Sequence, residues 1–88
     1  MTKLIQIRGP IPGPKSRALA ERRARVVAAG VTTLHPIFLA SATGPTVTDV
    51  DGNVFLDFAG GIGCLNVGPT QPAVVAAVAQ QAALLTHT

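Results

Sequence analysis

The chain has 88 residues, 48% of them hydrophobic, 3% aromatic and 12% charged, with a formal net charge of +3. A single cysteine, Cys64, and two distant histidines, His35 and His87, exclude a disulfide framework and a Cys/His zinc module. The apolar content is too high and the charge too low for disorder throughout. With no Trp or Tyr, any core has to be built from Val, Leu, Ile and Ala. Nine glycines and seven prolines mark many turns and short elements, a composition that suits part of a larger protein better than a free-standing domain.

Residues 1–14 read as an extended arm. Gly9-Pro10-Ile11-Pro12-Gly13-Pro14 excludes a helix and a central strand, and no packing signal is evident. All seven basic residues lie within the first 25 positions, which carry +6; the three aspartates give the remainder −3. Such a stretch can serve as a nucleic-acid arm, a transit peptide or a solvated face. Without interleaved aromatics or a binding motif, specific nucleic-acid recognition is not expected. The prolines break the helix that a transit peptide needs. Ser16 is placed to cap a helix running to about Ala29, with Gly30 as its left-handed terminator.

Beyond Pro36 the pattern becomes that of strands. Ile37–Ala40 suggests a first strand broken by Gly44-Pro45, and Asp51-Gly52 predicts a hairpin between 46–50 and 53–58. A two-residue loop there would set Val54 against Asp49 and Leu56 against Val47. Val47, Val54, Leu56 and Phe58 would then share one apolar face. A glycine-rich loop, 59–68, leads to a second helix from Pro72 to about Leu85, with Thr70 as a possible cap. That helix is apolar around most of its circumference, which points to burial on several sides or an interface. Residues 73–85 are too short for a membrane span of about 20 residues, and Leu4–Ile7 is too short for a signal peptide. A soluble, cytoplasmic protein without membrane contact is expected.

The candidates for chemistry are few. Gly61-Ile62-Gly63 has Asn66 where a dinucleotide fingerprint needs glycine, and Gly63–Gly68 has Pro69 where a P-loop needs lysine. Asp49-x-Asp51-Gly52 lacks the later glutamate of a calcium loop and is explained by its turn. Cys64 reads as a small buried thiol and His35 as a hydrogen-bonded structural residue. No catalytic residue and no metal ligand set emerges from the residues alone.

The runs Gly30-Val31-Thr32-Thr33-Leu34-His35-Pro36-Ile37-Phe38, Asp49-Val50-Asp51-Gly52-Asn53-Val54-Phe55-Leu56-Asp57-Phe58-Ala59-Gly60-Gly61-Ile62-Gly63 and Leu65-Asn66-Val67-Gly68 resemble the N-terminal region of class III (ornithine/4-aminobutyrate type) pyridoxal-phosphate aminotransferases. Pro12-Gly13-Pro14-Lys15-Ser16 and Glu21-Arg22-Arg23 resemble bacterial members. One departure stands out: the family pattern N-x-G-H-x-H-P reads here Asn66-Val67-Gly68-Pro69-Thr70-Gln71-Pro72, without either histidine.

The resemblance implies an α/β chain that is an incomplete piece of a fold-type I pyridoxal-phosphate transferase: helix, three-stranded antiparallel meander, glycine loop, helix. After the arm of residues 1–14, residues 15–88 would be the start of the small domain leading into the large one. The intact family member would be a homodimer that moves an amino group from 4-aminobutyrate, or a similar ω-amino acid, to 2-oxoglutarate using pyridoxal 5'-phosphate. Gly61 and Ile62 match a segment that borders the amino-acid substrate. The cofactor-binding parts of the family lie beyond Thr88, so the 88-residue chain alone is expected to bind no cofactor and to be inactive. The competing reading is a non-catalytic interaction module that uses its apolar C-terminal helix.

Overall fold

The computed structural model describes residues 3–88. Helix α1 spans Pro14–Val26, followed by strands β1 (Leu39–Thr43), β2 (Thr46–Asp49) and β3 (Val54–Leu56), a short turn α2 (Gly60–Gly63) and helix α3 (Pro72–Ala82). The strands make one antiparallel sheet in the order β1-β2-β3, the meander expected of this α/β chain.

Turn chemistry sets both hairpins. β1 and β2 join through Gly44-Pro45, with Thr43 paired to Thr46 and Gly44 at φ +54. The second hairpin differs from expectation. The Gly52 amide donates to the Asp49 carbonyl (3.1 Å) and the Asp49 amide donates to the Asn53 carbonyl (2.9 Å). The loop is therefore three residues, Val50-Asp51-Gly52, closed by Gly52 at φ +84. The added residue shifts the register by one, so that Val47 faces Phe55 and Thr48 faces Val54. A slip of one residue turns β3 over. Val47, Asp49, Asn53 and Phe55 share the covered face, while Val54 and Leu56 join Thr46 and Thr48 on the other. Phe58, placed on the apolar face by the two-residue reading, is 94% exposed.

The covered face is polar at its centre. Among the described residues Val47 is the one buried large apolar side chain, whereas Ser16, Asp49 and Asn53 are each at most 2% exposed. Burying a carboxylate is costly unless its oxygens are hydrogen-bonded. Asp49 Oδ1 accepts from the amides of Asp51 (2.9 Å) and Asn53 (2.8 Å), and Oδ2 accepts from Asn53 Nδ2 (2.9 Å). Asn53 Oδ1 in turn accepts from the Arg8 amide (2.7 Å). No buried side-chain polar atom among the described residues lacks a partner.

These contacts give the arm a place that its composition does not announce. Gln6 and Val54 exchange both backbone hydrogen bonds (3.0 and 2.8 Å), and Arg8 Nε donates to the Gly52 carbonyl (3.0 Å). Met1 and Thr2, part of the arm as read from sequence, lie outside the described residues.

The start of α1 corrects the assignment of Ser16 as its cap. Gly13 occupies the N-cap position and offers no side chain. The Asp51 carboxylate supplies the cap from across the chain: Lys15 N donates to Oδ1 (2.8 Å) and Ser16 N to Oδ2 (2.9 Å). Ser16 lies inside the first turn, where its Oγ accepts from the Phe38 amide (3.2 Å). The helix stops at Val26, short of Ala29, and Gly30 does not terminate it. The β-branched pair Val26-Val27 weakens helical propensity there, and Val27 is already extended.

Helix α3 begins at Pro72 as expected, but Gln71 caps it, with Oε1 accepting from the Val74 amide (3.0 Å). Thr70 instead donates from Oγ1 to the Ala42 carbonyl (3.0 Å), which ties the entrance of α3 to β1. The helix ends at Ala82 rather than Leu85, and no residue of it is buried. No helix among the described residues is long and apolar enough to cross a membrane.

Partial desolvation pushes the Asp51 carboxyl up, but the Ser16 and Lys15 amides, the Ser16 hydroxyl and the Lys15 charge outweigh it and hold the group below its ordinary value. A carboxyl lowered on folding stabilises above its unfolded pKa of about 3.9 and loses that contribution as pH falls through the folded value. Protection of the Lys15 and Ser16 amides against hydrogen exchange should therefore hold at pH 5 and decline below pH 4, and Asp51→Asn should remove this acid dependence. Asn53→Ala should cost about 1–3 kcal/mol in denaturant unfolding, because it leaves Asp49 Oδ2 and the Arg8 amide without their partners.

Candidate functional site

The segment after β3 leaves the sheet through an Asx turn. Asp57 Oδ1 accepts from the amides of Ala59 (3.1 Å) and Gly60 (2.9 Å), which fixes the start of the glycine loop. Four consecutive residues then adopt positive φ: Gly60 (+52), Gly61 (+65), Ile62 (+60) and Gly63 (+80). The Gly63 amide donates to Ala59 O (2.9 Å), and the amides of Cys64 (3.0 Å) and Leu65 (2.9 Å) both donate to Gly60 O. The result is one turn of left-handed helix, a conformation that glycine accepts and that a β-branched residue resists.

The family resemblance singles out Gly61 and Ile62, and the structure gives them different parts. A Cβ on Gly61 would lie 2.7 Å from Cys64 Sγ and 3.2 Å from Leu65 Cγ, so the space on that side is already filled. Ile62, the sole non-glycine residue at positive φ among the described residues, is 79% exposed on the outside of the turn. Strain of this kind persists where surrounding contacts impose it, and it clusters at functional sites. The Cys64 thiol donates to the Gly61 carbonyl (3.0 Å) and is exposed, which corrects its reading as a buried residue. His35 Nδ1 lies 3.0 Å from the Ile37 carbonyl oxygen, the structural role expected of it. Among the described residues no group of three or more His, Cys, Asp or Glu gathers as a metal site.

Pyridoxal phosphate needs a lysine for its Schiff base, an acid at its pyridinium nitrogen and a cradle for its phosphate. Lys3 and Lys15 are exposed. Asp49, Asp51 and Asp57 are each occupied by backbone amides. The N-terminus of α1 is filled by Asp51 and that of α3 by Gln71. The described residues do not supply this set of groups, so they do not fit the cofactor. A shallow cavity of about 300 Å³ beside Arg8, Gly13, Lys15 and Asp51 is part of the α1 cap rather than a separate site.

Opposite signs at adjacent positions are the expected signature of the left-handed turn. Gly61→Ala should destabilise the chain by about 1 kcal/mol or more, since it meets both the positive φ and the Cys64 sulfur. Ile62→Asn should leave stability unchanged or raise it by up to about 1 kcal/mol, because asparagine tolerates this conformation and little buried surface is lost. Denaturant unfolding of both variants checks the pair.

Comparison with known proteins supplies the context. The family described as "Aminotransferase class-III" matches residues 26–88. A 4-aminobutyrate aminotransferase of Mycobacterium tuberculosis is 49% identical over 78 residues, covering 89% of this chain and 17% of its own length. A 5-aminovalerate aminotransferase of Pseudomonas putida is 47% identical over 73 residues, covering 83% of this chain and 17% of its own. The crystal structure of acetylornithine aminotransferase from Elizabethkingia anophelis superposes with a TM-score of 0.72 at 30% identity, over 83% of this chain and 18% of that one. The chain thus spans about one sixth of the length of these relatives, and over that span it belongs to the class III aminotransferase family.

Proposed function

We propose that this chain is the N-terminal part of a pyridoxal-phosphate-dependent transaminase that moves an amino group from 4-aminobutyrate, or a similar ω-amino acid, to 2-oxoglutarate. The observation that carries the reading is the 49% identity to a 4-aminobutyrate aminotransferase over 89% of the chain. The family as a whole uses pyridoxal phosphate; the groups that hold it come from chain outside residues 1–88. Residues 15–88 begin the small domain and lead into the large one, after an extended arm of residues 1–14, in an enzyme that is a cytoplasmic homodimer. Within this part, Ile62 contributes the side chain that packs near the amino-acid substrate. Gly61 permits the backbone path that presents it, and the left-handed turn supports that division of roles.

Two measurements test this. Co-expression of the 88-residue chain with the M. tuberculosis relative lacking its matching first sixth should restore transamination between 4-aminobutyrate and 2-oxoglutarate, with Ile62→Ala raising KM for the amino donor. No activity from a soluble, assembled pair would contradict the reading. The chain alone, mixed with pyridoxal phosphate, should give no stoichiometric aldimine absorbance band that survives dialysis.

One observation favours a second reading, a non-catalytic interaction module. Val74, Val75 and Val78 on α3 are each about half exposed or more, and residues 58–88 contain no charged side chain. Exposed apolar surface of this kind marks an interface. Sedimentation of the chain should show self-association that Val74→Glu with Val78→Glu reduces; a monodisperse monomer with a sharp thermal transition would remove this reading.

A further inference from the structure

We propose that α1 is a conditional helix whose formation is switched on by the hairpin loop, with the Asp51 carboxylate acting as an N-cap delivered across the chain. Three observations carry this. First, the local devices that start the helix are incomplete: Pro14 stands at its first position, but Gly13 provides no capping side chain and the first turn holds no acidic residue. A helix of 13 residues without such support is marginal in water, since nucleation is costly and the first amides have no acceptors.

Second, tertiary packing does not replace them. Ser16 is the one buried residue of α1, and Val26 at its far end is 71% exposed. The attachment of the helix to the meander is concentrated in its first turn, in the Lys15 and Ser16 amides on Asp51 and the Ser16 hydroxyl on the Phe38 amide.

Third, the local cap has been given up in favour of the remote one. Gly13, at φ −77 and ψ 175, has the backbone conformation of a capping residue. A Cβ there would lie 2.2 Å from Asp51 Cγ. A capping side chain at 13 and the Asp51 carboxylate therefore exclude one another, and the space goes to Asp51. The consequence is order in a basic 13-residue segment only when the loop Val50-Asp51-Gly52 has closed and Asp49 holds the Asp51 amide.

Backbone NMR shifts and amide exchange on the 88-residue chain test this with two variants. Asp51→Gly should abolish the helical shifts of residues 14–26 and speed exchange at Lys15 and Ser16 by about tenfold or more, while Val47–Phe55 pairing persists. Gly13→Asp combined with Asp51→Gly has room for a local cap and should restore the helical shifts without restoring the Ser16–Phe38 contact. If Asp51→Gly also melts the hairpin, Asp51→Ala, which keeps the loop's length and a Cβ but has no acceptor oxygen, gives the same readout. Helical shifts in 14–26 that survive loss of the carboxylate would overturn the proposal. So would failure of the local cap to restore them, or melting of the sheet together with α1 in both single variants.

Discussion

A buried carboxylate held by three hydrogen bonds from the loop that follows it is what the described chain is built around. Asp49 sits at the end of β2, where its two oxygens take the amides of Asp51 and Asn53 and the Asn53 side chain. Those bonds stiffen the three-residue loop, and the stiff loop places its neighbours. Asn53 is turned to receive the Arg8 amide, and Asp51 is turned outward to receive Lys15 and Ser16. Arm, helix and sheet meet at residues 49–53, with Val47 as the single buried large apolar contribution. In a chain with so little apolar burial, satisfied polar groups specify the arrangement more than they stabilise it. Each would be expensive to leave unpaired, which makes alternative arrangements unfavourable.

The glycine turn shows the opposite kind of constraint. Asp57 starts it with two hydrogen bonds, and three glycines let the backbone run left-handed at little cost. Ile62 is carried along in a conformation it would not choose, with its side chain outside. A turn that projects one apolar side chain is suited to shaping a pocket wall, which is the role proposed for Ile62. α3, Phe58 and Ile62 leave apolar surface exposed in a chain that spans about one sixth of its relatives' length.

Much of this was legible in the residues, and the errors have physical causes. Alternating strands around Asp51-Gly52, Pro72 at a helix start and Gly44-Pro45 at a turn led to the observed elements. The run from Asp49 to Gly63 carried the family resemblance. The loop length could not be read, because a dipeptide Asp-Gly serves two-residue and three-residue loops alike. That single residue decides which face of β3 is covered. Ser16 looked like a cap because capping is usually local; its replacement by Asp51, 35 positions away, is a tertiary fact with no sequence signature. The docked arm escaped notice for the same reason, since Gln6 and Arg8 contribute mainly backbone groups. Gln71 where the family has histidine still caps α3, because an amide oxygen can accept the Val74 amide in that position.

The central claim is that residues 49–53 form one cooperative polar centre on which the arm and α1 depend. Native-state hydrogen exchange of the 88-residue chain under increasing denaturant addresses it directly. The Asp51 and Asn53 amides should share one opening free energy, above that of the exposed helix α3, and the Arg8, Lys15 and Ser16 amides should open at or below it. Stronger protection at Arg8, Lys15 or Ser16 than at Asp51 and Asn53, or protection in α3 equal to that of Asp51 and Asn53, would contradict the account.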